Sequence, residues 1–101
     1  MQDKVDRLRG DSLRGIDARQ VLDNPAYQSA MRTLQDEIVR QWKECPVRDA
    51  EGQLLLLQLA KLATKFETIL SGMVETGRLA DFELERERSE SKAKQFFRRV
   101  L

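Results

Sequence analysis

The sequence predicts an all-α fold: an antiparallel helical hairpin with short N-terminal helical segments and a long charged C-terminal helix, built to form oligomers. Three observations predict it. The first is an apolar stripe, Leu55, Leu59, Leu62, Phe66, Ile69 and Met73, whose steps alternate four and three residues. That spacing keeps the side chains on one face of a helix. The second is an upstream stripe with the same alternation, Tyr27, Met31, Leu34, Ile38 and Cys45, in which Gln41 holds the expected apolar position beside Trp42. The third is the segment between them, Cys45-Pro46-Val47-Arg48-Asp49. Its proline disfavours helix at the residue before it, and its aspartate can cap the helix that follows.

The elements follow in order. Residues 1–23 form an N-terminal helical arm, in which Val5, Leu8, Leu13, Ile16, Val21 and Leu22 are set among charged side chains. Gly10 and Gly15 predict two short helical pieces with a flexible joint. Asp23-Asn24-Pro25 then starts a helix, with Asn24 as N-cap and Pro25 where its missing donor does no harm. That helix should run from Pro25 to Glu44, roughly 30 Å, and the next from Ala50 to Thr76, roughly 40 Å. Gly77, after Glu75-Thr76, is placed to end the second helix in a left-handed conformation, which bounds the hairpin core at residues 24–77. Gly52 lies one turn into that helix, where close packing against the turn would justify it.

Residues 78–101 predict a third helix. Phe82 and Leu84 lie near its start, Glu85 to Lys92 contains no apolar residue, and Ala93, Phe96, Phe97, Val100 and Leu101 restore an apolar face. Glu83 with Arg86, Glu85 with Arg88 and Glu90 with Lys94 are spaced as helix ion pairs, worth about 0.2–0.5 kcal/mol each.

The hairpin has surplus apolar surface. Its second helix overshoots the first, and Leu56, Ala63 and Leu70 form a row adjacent to the main stripe. One partner helix cannot bury both rows, so the N-terminal pieces, the C-terminal helix or another copy must cover the rest. Leu56 and Leu70 are therefore candidate protein-interaction residues, together with Phe96, Phe97, Val100 and Leu101 of the tail. The tail also carries Lys92, Lys94, Arg98 and Arg99 as candidate phosphate contacts. Three readings of it stand: the aromatic face folds back on the hairpin, it docks on another protein or another copy, or its cations bind nucleic acid or an anionic surface.

Composition excludes more than it assigns. The chain has 101 residues, 35% charged and 6% aromatic, with a net charge of +1, which suits one domain with a thin core and much solvated helix surface. So balanced a charge argues against nucleic-acid binding by the whole surface while leaving room for a local basic patch. With no histidine and one cysteine, the usual zinc sites and the Ser-His-Asp and Cys-His arrangements are excluded. Neither an EF-hand spacing nor a glycine-rich phosphate loop is present, so the expectation is a non-enzyme without cofactor or metal. Cys45 reads as a small apolar residue closing its stripe, and Trp42, which neighbours the stripe, as a core anchor at the hairpin end in preference to a contact residue for a partner. No secretory pattern is visible, and the longest apolar run, Leu54 to Leu57, is far short of a membrane span. The expected setting is cytoplasmic.

Asn24-Pro25, Trp42-Lys43-Glu44-Cys45-Pro46, Arg48-Asp49-Ala50-Glu51-Gly52 and Glu75-Thr76-Gly77 together resemble a pattern found in small helical proteins of tailed bacteriophages and prophages. Those proteins are often encoded among virion-structure and DNA-packaging genes. The resemblance covers residues 24–78 and rests on turn and cap residues. It implies a phage origin and a role in the particle or its assembly, and it brings no catalytic residues. With the surplus apolar surface, the expectation is a protein of the host bacterial cytoplasm or the virion that associates with itself and with another phage structural or packaging protein. The alternatives are a small nucleic-acid-binding or regulatory protein using the basic tail, and a phage inhibitor of a host protein.

Overall fold

The computed structural model describes residues 2–101, and among them every regular element is a helix: α1 (Gln2–Asp23), α2 (Pro25–Glu44) and α3 (Ala50–Val100). They group into two compact units, Met1–Ala18 with Gly72–Leu101, and Arg19–Ser71.

The expected boundaries on either side of α2 form as local chemistry dictates. Asn24 is extended, and its Oδ1 accepts from the Ala26 and Tyr27 amides at 2.8 and 3.1 Å, with Pro25 following as the first helical residue. At the other end of α2, the Cys45 amide returns to the Gln41 carbonyl at 2.9 Å. Asp49 caps α3, its Oδ1 accepting from the Gly52 amide at 3.0 Å. A Cβ on Gly52 would run into that carboxylate and lie 3.0 Å from Cys45 Sγ, so the turn requires glycine there. Gln53 bridges back across the turn, its Nε2 donating to the Cys45 and Pro46 carbonyls at 3.3 and 3.4 Å.

Two other boundaries are corrected. Gly10 and Gly15 do not break the N-terminal arm, which is one helix, and α3 continues through Gly77 with no glycine at positive φ. The expected boundary between residues 77 and 78 falls in mid-helix. Close approach, not backbone freedom, accounts for two of these glycines. A Cβ on Gly77 would lie 2.8 Å from Gly15 Cα and 3.0 Å from the Asp11 carbonyl oxygen; one on Gly15 would lie 2.9 Å from Gly77 Cα and 3.1 Å from the Met73 carbonyl oxygen. The backbones of α1 and α3 touch at this point, and glycine in a helix interior, at a cost of about 1 kcal/mol relative to alanine, is what permits it.

Around that contact the first unit packs with small residues. Ala18 and Ala80 are almost wholly buried, and Leu8, farther along α1, is buried as well. Polar pairs flank it: Ser12 donates to the Asp81 carboxylate, and Lys4 lies 2.9 Å from Glu87 and 3.8 Å from Glu83. The pairs 4 with 87, 12 with 81 and 15 with 77 rise along α1 as they fall along α3.

In the second unit the core is Met31 and Ile38 of α2 against Leu56 and Ala63 of α3, with the Tyr27 and Phe66 rings 6.3 Å apart. The seam is one residue out of the expected register. On α3 the sheltered positions are Gln53, Leu56, Ala60, Ala63, Glu67 and Leu70, in steps of three and four. Of the stripe expected to be buried, Leu55, Leu59, Leu62, Phe66 and Ile69 are exposed and Met73 is half-buried. Moving one residue along a helix of 3.6 residues per turn rotates the buried face by about 100°. The small Ala60 and Ala63 face inward because they admit a neighbouring helix more closely than Leu59, Leu62 and Phe66 would.

Two experiments test this packing. Gly77→Ala should lower the unfolding free energy by about 1–3 kcal/mol through overpacking. Gly72→Ala, where a Cβ would meet nothing within 4 Å, should raise it by about 1 kcal/mol, both read by urea denaturation. Acid should also destabilise the helices. Hydrogen bonds from Arg40, then Gln41, hold the Glu37 carboxyl at about 2, and the Lys4 ammonium keeps that of Glu87 below the usual carboxylate range. Both are depressed in the folded state, so their contribution is complete above about pH 4.3, the unfolded value, and is lost as pH falls, for Glu37 through about 2. Circular dichroism should show Glu37→Gln and Glu87→Gln losing less stability than the parent over that interval.

Candidate interaction surfaces

The apolar surface left open lies mainly on α3. Leu55, Leu59, Leu62, Phe66 and Ile69 follow one another in steps of four, three, four and three, and each is 42–66% exposed. Such a row is a second helix-pairing face on the same helix as the buried seam. Beside it, Met31, Leu34 and Ile38 of α2 and Leu59, Leu62, Ala63 and Phe66 of α3 line a groove of about 350 Å³. Small-molecule sites of that size carry a few placed polar groups that orient the ligand. This groove is lined by apolar residues alone, which suits side chains from another helix.

The residues singled out from sequence divide. Leu56 is 8% exposed and Leu70 half-buried, so the row taken as surplus is the sheltered one and its neighbour is open. Phe96, Phe97, Val100 and Leu101 are exposed, the two rings meeting edge to face at 5.9 Å. The aromatic face of the tail therefore does not fold back. Lys92, Lys94, Arg98 and Arg99 are likewise exposed. Lys94 and Arg98 line a groove that they share with Arg9 of α1 and Arg88 of α3; the sequence marks Arg88 only as a helix partner of Glu85 and does not single out Arg9, because nothing in the spacing links position 9 to the C-terminal segment. Trp42, expected in the core, is 54% exposed. It lies four residues after Ile38, within about 40° of it around the helix, in the last turn of α2, where it stays open while Cys45 after it is half-buried.

Cys45 and Tyr27 show what partial burial does to polar groups in this fold. Burial first, and the neighbouring Asp49 carboxylate second, push the Cys45 thiol above its ordinary range, so it stays protonated and a poor nucleophile. The Tyr27 hydroxyl is enclosed without a hydrogen-bond partner, and its pKa is raised by that burial and by Glu67. Among the described residues no group of three His, Cys, Asp or Glu side chains gathers in metal-binding fashion, and no helix is long and apolar enough to cross a membrane.

Compared with known proteins, the chain matches no family model, no curated protein and no solved structure.

The two rows of α3 should respond differently to truncation. In dilute solution Leu56→Ala should cost about 2–5 kcal/mol by leaving a cavity, whereas Leu62→Ala should change the unfolding free energy by less than about 0.5 kcal/mol, as surface substitutions do. Equal losses at the two positions in a denaturant titration would contradict the burial of the Leu56 row alone.

Proposed function

We propose that this chain is a non-enzymatic helical interaction protein of a bacteriophage, a structural or assembly accessory that associates with copies of itself and docks on a larger virion or packaging complex. The observation that carries the self-association is the open row from Leu55 to Ile69 with the apolar groove beside it. Exposed apolar surface gathered in one contiguous patch marks interaction sites, whereas scattered exposed leucines do not. The row takes a second copy because its regular four-and-three repeat is what a twofold-related copy of the same row can interlock with. The exposed knobs Leu62 and Phe66 would then gain the neighbours that α2 leaves off.

In this reading α2 and the first half of α3 form an antiparallel hairpin, supported by the Gln53 bridge to Cys45 at one end and the Tyr27–Phe66 contact at the other. The phage setting, in the host cytoplasm or the particle, rests on the resemblance carried by the turn and cap residues of 24–78. The exposed Phe96, Phe97, Val100 and Leu101 supply a separate apolar end for the larger assembly.

Sedimentation equilibrium across the micromolar range tests self-association. The full chain should show a reversible dimer or higher oligomer, and Leu62→Glu with Phe66→Glu should return it to monomer without loss of helix content. A compact monomer at every concentration would overturn the proposal.

A further inference from the structure

The basic residues of the first unit converge in a way their positions in sequence do not suggest. Arg9 of α1 and Arg88, Lys94 and Arg98 of α3 line one groove of about 640 Å³. Glu87 and Glu90 share it, but Glu87 is engaged by Lys4 at 2.9 Å. Among the described residues Arg9, Lys94 and Arg98 form no ion pair, and Arg88 reaches only Glu85, at 3.6 Å. The groove therefore holds a net positive field in a chain whose overall charge is +1.

We propose that this groove binds the phosphate backbone of double-stranded nucleic acid, without reading bases. Three features select that ligand. Arg88 to Arg98 spans about 15 Å of helix at 1.5 Å per residue, comparable to about four phosphates of one strand at 3.4 Å along the duplex axis. The only large apolar lining residues are Val5 and Leu84, so a protein partner would find no aromatic or desolvated anchor; phosphate binding by counterion release needs none. The exposed Phe96 is two residues from both Lys94 and Arg98, about 200° around the helix. Neither Phe96 nor Phe97 lines the groove, so the groove itself holds no aromatic ring on which a single-stranded base would stack.

Fluorescence anisotropy of the full chain with a short labelled mixed-sequence DNA duplex tests the assignment. Binding should fall linearly with the logarithm of salt concentration, with a slope near −3 to −4 for four contacts, or roughly a hundredfold between about 50 and 200 mM. Lys94→Gln and Arg98→Gln should each reduce the slope by about one, and an unrelated duplex sequence should bind equally. Arg48→Gln, in the loop between α2 and α3, should leave the slope unchanged. Four results would overturn the proposal: no binding at low salt, an equal effect of Arg48→Gln, tighter binding of a polyglutamate peptide than of duplex, or binding of anionic vesicles abolished by Phe96→Ser with no binding of duplex.

Discussion

The contact between Gly15 and Gly77 constrains more of this molecule than any other. Two helices can touch backbone to backbone only where neither carries a side chain, and a Cβ at either position would lie under 3.0 Å from the other's Cα. Once the axes are that close, positions one turn away must also be small, and Ala18 and Ala80 are almost wholly buried there. Larger residues are used farther out, with Leu8 in the core and the Lys4–Glu87 pair beyond it. The geometry is held by dispersion between closely packed small groups rather than by a broad apolar interior, as a thin core demands.

The same preference for small residues explains the open apolar row. Along α3 the sheltered face carries alanine at 60, 63 and 80 and glycine at 77, while leucine, phenylalanine and isoleucine at 55, 59, 62, 66 and 69 stand on the adjoining face. A helix that packs on the seam of Leu56, Ala60 and Ala63 does not also reach around to cover the large side chains next to it. Their exposure is therefore a direct consequence of how α3 is packed within its own unit, and it supplies the surface through which a second copy is proposed to bind.

Local chemistry was legible in the sequence and interhelical geometry was not. Asn24-Pro25 and Asp49 named the helix starts because a cap depends only on residues within one turn, and the structure places α2 where those residues put it. Gly77 misled because glycine serves equally to end a helix in a left-handed conformation and to admit another backbone, and only the presence of Gly15 across the contact distinguishes the two uses. The register of α3 misled for a related reason. Both of its rows repeat every three and four residues, and the row of larger side chains looks like the better core until the approach of the neighbouring helix is known. Trp42 was assigned to the interior because it neighbours the stripe, yet it stands exposed in the last turn of α2, and position on a helix face does not reveal where the covering helix ends. The basic groove was half visible: Lys94 and Arg98 stood out in the tail, whereas Arg9 joins them only through the fold.

The faces of α3 are consequently specialised by the size and charge of their residues. Ala60, Ala63, Gly77 and Ala80 turn inward together with Leu56 and Leu70, other large apolar residues stand beside them between 55 and 69, and after Leu84 the continuation of the sheltered face becomes polar, passing through Glu87, Ser91, Lys94 and Arg98. Because the helix is unbroken through Gly77, that change of character occurs without any change of element. A chain with a separate terminal helix could have held its charged end in many orientations. In this chain the cations of the last turns continue the face that packs against α1, which is why Arg9 meets Lys94 and Arg98 in one groove while Phe96 remains on the other side of the helix.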